Sequence, residues 1–192
     1  MKFLFRIIRY LNTLSKTQAS KCYLYYLKVL YPKRFKVSSS VISGKDFTVF
    51  FDATDSSIII GEDVQLRDHC QLRSGRNGIL KIGDNVFFNN FCSINCLSRI
   101  EIGNDCQFGE AVRMYDVNHE YRDFTKLISE QGYTDGKIII GNNCWIGSNV
   151  TILKGAVIGD NVVIGANCLV HHSVPSNTVV MLQQELNYKP IK

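Results

Sequence analysis

Four histidines, one tryptophan and seven cysteines hold most of the reactive chemistry in this chain of 192 residues. His119 stands in Tyr115-Asp-Val-Asn-His-Glu-Tyr121, a stretch that lacks the periodicity of its surroundings. Imidazole is the natural general base near neutral pH, and loops carried on a rigid scaffold are where such groups tend to sit. Such a base needs its other ring nitrogen fixed by a partner. Asp116 and Glu120 are candidates, and a backbone carbonyl would serve equally. The competing reading of His119 is a solvated loop histidine. His69 falls at an outward position of Leu66-Arg-Asp-His-Cys-Gln71, which points to a surface role, and His171-His172 lie near the end of the periodic region. Zinc chemistry is not expected. The closest cysteines, Cys92 and Cys96, do not form a Cys-x2-Cys pair. Nor is there a His-x4-His pair, because the fifth residue after His69 is Ser74 and the fifth after His119 is Phe124.

The elements that must position these groups follow from a repeat, the first feature to seek in any sequence. Ile140, Ile146, Ile152, Ile158, Ile164 and Val170 recur every six residues. Four places after each come Cys144, Val150, Ala156, Val162, Cys168 and Val174, all small or β-branched. Glycine follows at 141, 147, 159 and 165. The same grammar appears in Ile60-Gly-Glu-Asp-Val64, Ile82-Gly-Asp-Asn-Val86 and Ile102-Gly-Asn-Asp-Cys106. A period of six fits neither a helix nor a two-faced strand. It predicts an all-β solenoid in which three six-residue sides close a triangular coil. Slips of phase between runs predict corner loops, and residues 114–137 are expected to project as a loop. The repeat also places Cys70, Cys92, Cys106, Cys144 and Cys168 in the small inward slot, as buried hydrophobes rather than disulfides or ligands. Cys22 and Cys96 have no explanation at this level.

Composition narrows the class. Apolar residues make up 45% and charged residues 20%, enough to bury a core and unlike a disordered chain. No apolar run reaches the roughly 18 residues of a membrane span. Arg6 and Arg9 interrupt the apolar start, so a signal peptide is not expected and a cytoplasmic location is. Residues 1–45 hold ten Lys/Arg and no acid, whereas residues 46–192 hold twelve basic and seventeen acidic residues. The chain therefore divides into a basic N-terminal segment, 1–45, a body, 46–182, and a tail, 183–192, and a uniformly basic nucleic-acid binder is excluded. Phe3, Ile7, Leu11 and Leu14 form one stripe of a predicted helix, with Lys2, Arg6 and Arg9 on another. A second helix is predicted from Cys22 to Tyr31, stopped by Pro32. Such helices fit either an anionic membrane surface or a cap on the open end of the solenoid.

Gly141-Asn-Asn-Cys-Trp-Ile-Gly-Ser-Asn-Val-Thr-Ile-Leu-Lys-Gly155 and Ile158-Gly-Asp-Asn-Val-Val-Ile-Gly-Ala-Asn167 resemble the hexapeptide-repeat acyltransferase family, in its sugar O-acetyltransferase branch of maltose, galactoside and capsular or O-antigen enzymes. The resemblance covers roughly residues 56–182. It implies a left-handed parallel β-helix, a homotrimer with sites between subunits, acetyl-CoA as donor and no metal. It implies His119 as the general base. Asn89 is implied as an acceptor-binding residue, with Asn90 in its place if the register slips, although an Asn ladder at a coil corner is nearly as good a reading. Trp145 is implied to stand at the substrate cleft, and burial under a neighbouring subunit is compatible with that. The Ser148 backbone N–H would meet the thioester oxygen and Ala166 would touch coenzyme A. His171-His172 replace the Thr-Lys that often meets the coenzyme's phosphates, and the usual Gly-x-Pro-Ala tail is absent, with Lys189 and Lys192 as substitutes. The expected activity is O-acetylation of a sugar of a bacterial surface polysaccharide or its precursor. The alternatives are N-acetylation of an amino sugar nucleotide, or a non-catalytic structural or binding β-helix.

Overall fold

The computed structural model describes residues 18–183 and Lys189. The predicted helix over 3–14 and Lys192 lie outside the described residues. From Phe35 onward the chain winds into a three-sided parallel β-solenoid. The first face stacks six strands, the second seven and the third six, each pairing in parallel with the strand one coil away.

The hexad grammar has a physical reading at the corner between the first and second faces. Here the side-chain oxygen of each coil accepts the backbone N–H of the coil before it. Glu62 N–H donates to Asp84 Oδ1 at 2.7 Å, Asp84 to Asn104 at 2.8 Å, Asn104 to Asn142 at 2.8 Å and Asn142 to Asp160 at 2.6 Å. The next residue turns the corner with positive φ, as in Asn85 (53°), Asp105 (59°), Asn143 (53°) and Asn161 (57°). Asn and Asp tolerate that conformation better than other side chains. Glycine precedes them because the coils touch there: a Cβ on Gly141 would lie 2.7 Å from the backbone of Asp160. The aliphatic positions point inward. Ile140, Ile146, Ile152, Ile158 and Ile164 are fully buried, each contributing about 1.5–3 kcal/mol relative to exposure.

The inward cysteines are confirmed, with an added role. Cys106 Sγ donates to the Gly141 carbonyl and Cys144 Sγ to the Gly159 carbonyl, both at 3.2 Å. Cys70 and Cys92 do the same toward Asn89 and Gly109. The small slot thus takes a residue that fills the corner and still offers a weak donor to the next coil. Cys96 lies fully buried on the third face, and burial, with the nearby Asp116 carboxylate second, pushes its thiol pKa well up.

Two expected boundaries shift. Phe35–Val37 and Ile42–Ser43 are already strands of the first coil, so the solenoid begins inside the segment 1–45. There Phe35, Val37 and Val41 fill the inward slots, while Ser38-Ser39-Ser40 replaces the glycine-Asx corner that made later coils visible. Before it, a helix spans residues 18–30 and stops before Pro32. Its Ser20, Leu24 and Leu27 face the first coil. Ser20 Oγ accepts the Ser43 N–H at 2.7 Å, and Tyr23 meets Phe47 edge-on. The helix therefore caps the open end of the solenoid. The projecting segment also differs from a plain loop over 114–137. Met114 is a buried strand residue in register with Ile94 and Ile152. The excursion leaves after Tyr115 and rises as an antiparallel ribbon, Val117–His119 against Tyr133–Asp135.

Among the described cysteines only Cys22 is exposed. A native thiol titration is expected to modify one cysteine rapidly and the other six only at the rate of unfolding. Fast reaction of two or more would contradict the stacked-thiol arrangement.

Candidate functional site

The ribbon springs from the corner between the third and first faces. Register places the insertion: Ile102 pairs with Ile140, 38 positions on, whereas Ile140 pairs with Ile158, 18 on. At the ribbon's base Asp116 is fully buried. Its two carboxylate oxygens accept the Leu97 N–H at 2.9 Å and the Ser98 N–H at 2.8 Å. Its backbone carbonyl takes the Gly136 N–H at 2.9 Å. A buried carboxylate needs such donors, and charge-assisted bonds to backbone amides are strong. Asp116 thus fixes the ribbon to the neighbouring coil, and no hydrogen bond joins it to His119. This differs from the expected role as the histidine's partner. Asp116 precedes the ribbon strand at a sharp corner, so sequence proximity does not become side-chain proximity. Glu120 is committed as well: it accepts the Tyr121 and Arg122 N–H groups, and the Tyr121 bond in particular lowers its pKa.

His119 is exposed on the ribbon and packs against its cross-strand neighbour Tyr133, with ring centroids 4.6 Å apart. The Arg76 guanidinium lies over the same tyrosine at 5.5 Å. Lys154 Nζ bonds Thr134 Oγ1 at 2.7 Å, tying the ribbon to the following coil. His119 lines an open groove of about 480 Å³ along the third face, whose floor is Arg73, Asn95, Tyr115 and Leu153 and whose far end is Asp52. Arg73 and Asp52 form an ion pair at 2.9 Å. Tyr133, Arg73 and Asn95 escaped the sequence reading. Arg73 and Asn95 are outward neighbours in register, a relation visible only once the coil length is known.

The other singled-out residues lie elsewhere. Trp145 faces outward on the second face, 58% exposed, between Gln107 and Val163. Asn89, Ser148 and Ala166 lie at the corner between the second and third faces; Ser148 and Ala166 occupy one column in successive coils, and Asn89 stands one position earlier, two coils before Ser148. Asn89 Oδ1 accepts the Asn90 N–H, which leaves the Asn89 Nδ2 without a partner among the described residues. Asn90 is the ladder member: it accepts the Asp68 N–H and donates to Glu110. The ladder continues through the Glu110 N–H to Ser148 Oγ at 3.2 Å. There it stops, because Ala166 offers no side-chain acceptor. The backbone N–H groups of Ser148 and Ala166 have no protein acceptor among the described residues. His171 and His172 are exposed with rings 3.9 Å apart, at the opposite edge of the third face from Ala166. Lys189 is exposed, and nothing ties it to this column. No cluster of three or more metal-ligating side chains occurs among the described residues.

Comparison with known proteins fits this geometry. Residues 137–172 match the bacterial transferase hexapeptide (six repeats) family. The chain is 32% identical over 133 residues to a putative lipopolysaccharide biosynthesis O-acetyl transferase of Escherichia coli, covering 66% of this chain and 68% of that one. It is 33% identical over 124 residues to the galactoside O-acetyltransferase of the same organism, covering 62% of this chain and 57% of the enzyme. A solved mutant of an N-acyltransferase from Bacillus cereus, in complex with dTDP and coenzyme A, superposes with a TM-score of 0.63 at 18% identity over 88% of this chain and 89% of that one, a likeness of fold. The chain belongs to the hexapeptide-repeat acyltransferase family, and its solenoid is the left-handed parallel β-helix of that family.

Asp116→Ala would leave the half-buried Leu97 and Ser98 N–H groups without their acceptor, at up to about 1–3 kcal/mol each. The expected result is faster hydrogen exchange at Leu97, Ser98 and Gly136, with the coils beyond Ile138 unaffected. Unchanged protection at those three amides would show that the carboxylate does not anchor the ribbon.

Proposed function

We propose that the protein transfers an acetyl group from acetyl-CoA to a sugar hydroxyl of a bacterial surface polysaccharide or its precursor. The observation that carries this reading is the interrupted ladder. Ser148 and Ala166 leave two backbone donors free, one coil apart, where the side-chain ladder ends. Preorganised N–H groups of this kind are what a thioester oxygen needs as negative charge develops on it. In the reaction, one ring nitrogen of His119 takes the acceptor hydroxyl's proton as that oxygen attacks the thioester carbon. The Ser148 N–H holds the oxyanion. The carbon–sulfur bond then breaks, and the leaving thiolate recovers the proton from the imidazolium.

A second copy of the chain completes this site. The groove that His119 lines stops at the outward column nearest the ribbon and includes neither Trp145, Asn89 nor Ser148. The outward column of the second face, from Ile42 through Phe87 and Trp145 to Val179, contains no ionisable side chain, unlike the first face with Lys36, Lys81 and Glu101. An uncharged strip of this kind suits burial against another subunit. A homotrimer would bring one protomer's His119 to its neighbour's Asn89, Trp145 and Ser148. His171 and His172 are left to meet the coenzyme's phosphates.

His119→Ala is expected to lower acetyl transfer by about 10² to 10⁴-fold while leaving acetyl-CoA binding and assembly intact. Steady-state kinetics with labelled acetyl-CoA and a panel of sugars would measure it, and near-normal turnover would remove the histidine from the mechanism. Base-labile ester products support O-transfer; base-stable amides would favour the amino-sugar reading.

The capping helix also presents Tyr25, Tyr26 and Val29 to solvent beside Lys21 and Lys28. Such a face supports contact with anionic lipid, as a lipid-linked acceptor would require. No helix among the described residues is long and apolar enough to cross a membrane. The full chain is expected to co-sediment with phosphatidylglycerol vesicles at low salt, and a Tyr26→Glu/Val29→Asp variant to do so several-fold less. Equal partitioning of the two would confine the helix to its capping role.

A further inference from the structure

The corner that carries Asn89, Ser148 and Ala166 holds a second feature toward the N-terminal coils. Its turning residues, all with positive φ, are Asp46 (53°), His69 (61°), Phe91 (64°), Ala111 (54°), Asn149 (59°) and Asn167 (63°). Among the described residues most such turning positions are Asn or Asp, the side chains that accept this conformation. Phe91 does not belong there. A bulky residue in the left-handed region is a true outlier, and strain of this sort persists where surrounding structure holds it and tends to mark function. Nor is its ring part of the core: Phe91 is 57% exposed. It lies flat on the His69 imidazole, with centroids 4.9 Å apart and planes 3° from parallel. His69 Nδ1 in turn approaches Asp46 Oδ2 at 3.5 Å. The three side chains form a continuous strip across three coils, about 10 Å long at the usual strand spacing.

We propose that this strip is an acceptor subsite, in which Phe91 and His69 stack under a sugar ring next to the one that Asn89 positions, so that the acceptor is a glycan chain rather than a free monosaccharide. A pyranose has an apolar face of C–H groups and a rim of hydroxyls. An exposed aromatic face takes the first, and an Asp–His pair at its edge takes the second. Asn89, with its unpartnered Nδ2, is two residues from Phe91 in the same coil. The strip continues away from the donor end at Ser148 and Ala166, as the remainder of an acceptor chain must. The inference rests on the proposed sugar O-acetyltransferase function and adds the length of the substrate.

The test uses the full-length protein on an array of microbial polysaccharides with their mono-, di- and longer oligosaccharides. Phe91→Asn removes the ring yet suits the turn, as Asn149 and Asn167 do in later coils. It should match or exceed the wild type in Tm, keep the same sedimentation coefficient, and lose at least tenfold in retention on oligosaccharides and polymers but not on monosaccharides. His119→Ala should be retained like wild type. Equal retention of Phe91→Asn and wild type, no retention of wild type on any glycan, or a change of assembly in Phe91→Asn would each overturn the subsite. Retention that depends on Phe91, without acetyl transfer by wild type to any retained glycan, would instead overturn the catalytic reading and leave a glycan-binding surface.

Discussion

Each coil rests on the next through backbone hydrogen bonds parallel to the solenoid axis, and at two of the corners side chains must supply what the turning backbone cannot. The run from Glu62 through Asp84, Asn104 and Asn142 to Asp160 does this without a gap. The residue identities at that corner answer to three demands. The glycine makes room for the next coil, the Asx oxygen caps an N–H of the coil before, and the second Asx adopts positive φ. A hydrogen bond of this kind contributes about 0.5–1.5 kcal/mol net, and it recurs at four successive coil contacts of this corner.

The corner between the second and third faces obeys the same demands less strictly, and its departures fall together. Lys45 and Asp68 keep the ladder, with the Lys45 N–H on Asp68 Oδ1 at 2.8 Å. Ala166 ends it, and Ala111, His69 and Phe91 replace the Asx turn residue. Local rules are broken in real proteins mainly at sites that do something else. The other corner, between the third and first faces, departs in a different way, by admitting a ribbon of its own. Scaffold and chemistry therefore separate cleanly. One corner is purely structural, one leaves donors and an aromatic strip exposed, and one carries the imidazole.

What could be read from the sequence follows this division. The coils from Ile60 onward were legible because glycine and Asx mark each structural corner. The first coil was not, because Ser38-Ser39-Ser40 turns without either. Cys70, Cys92, Cys106, Cys144 and Cys168 could be placed by slot alone, whereas the bonds from the first four of these thiols to the next coil's carbonyls needed coordinates. Trp145 faces outward because it follows the inward Cys144. Asp116 shows where such reasoning fails. Three residues from His119 along the chain, it is separated from it by a corner, and its carboxylate serves Leu97 and Ser98 in the previous coil. Tyr133 meets His119 across the ribbon, and no periodic signal links the two.

In the mechanism we propose, the anchoring of the ribbon is what holds an exposed imidazole in place. A reacting group displaced by about 1 Å can lose about a hundredfold in rate, so an excursion over residues 116–137 has to be held to the solenoid. Asp116 clamps one leg to the Leu97–Ser98 corner, Ser98 Oγ donates to Asp135 Oδ2 at 2.7 Å on the other leg, and Lys154 reaches Thr134 from the coil beyond. Two neighbouring coils therefore grip the two strands that carry His119 and Tyr133, while Arg76 closes over the tyrosine from a third. Beyond Tyr121 the tip is braced by its own bonds, the Asp123 N–H to Gln131 Oε1 at 3.0 Å and Gln131 Nε2 to the Asp123 carbonyl at 2.9 Å, while Phe124 and Leu127 stand exposed. The imidazole sits below that tip, on the part of the ribbon held by the solenoid.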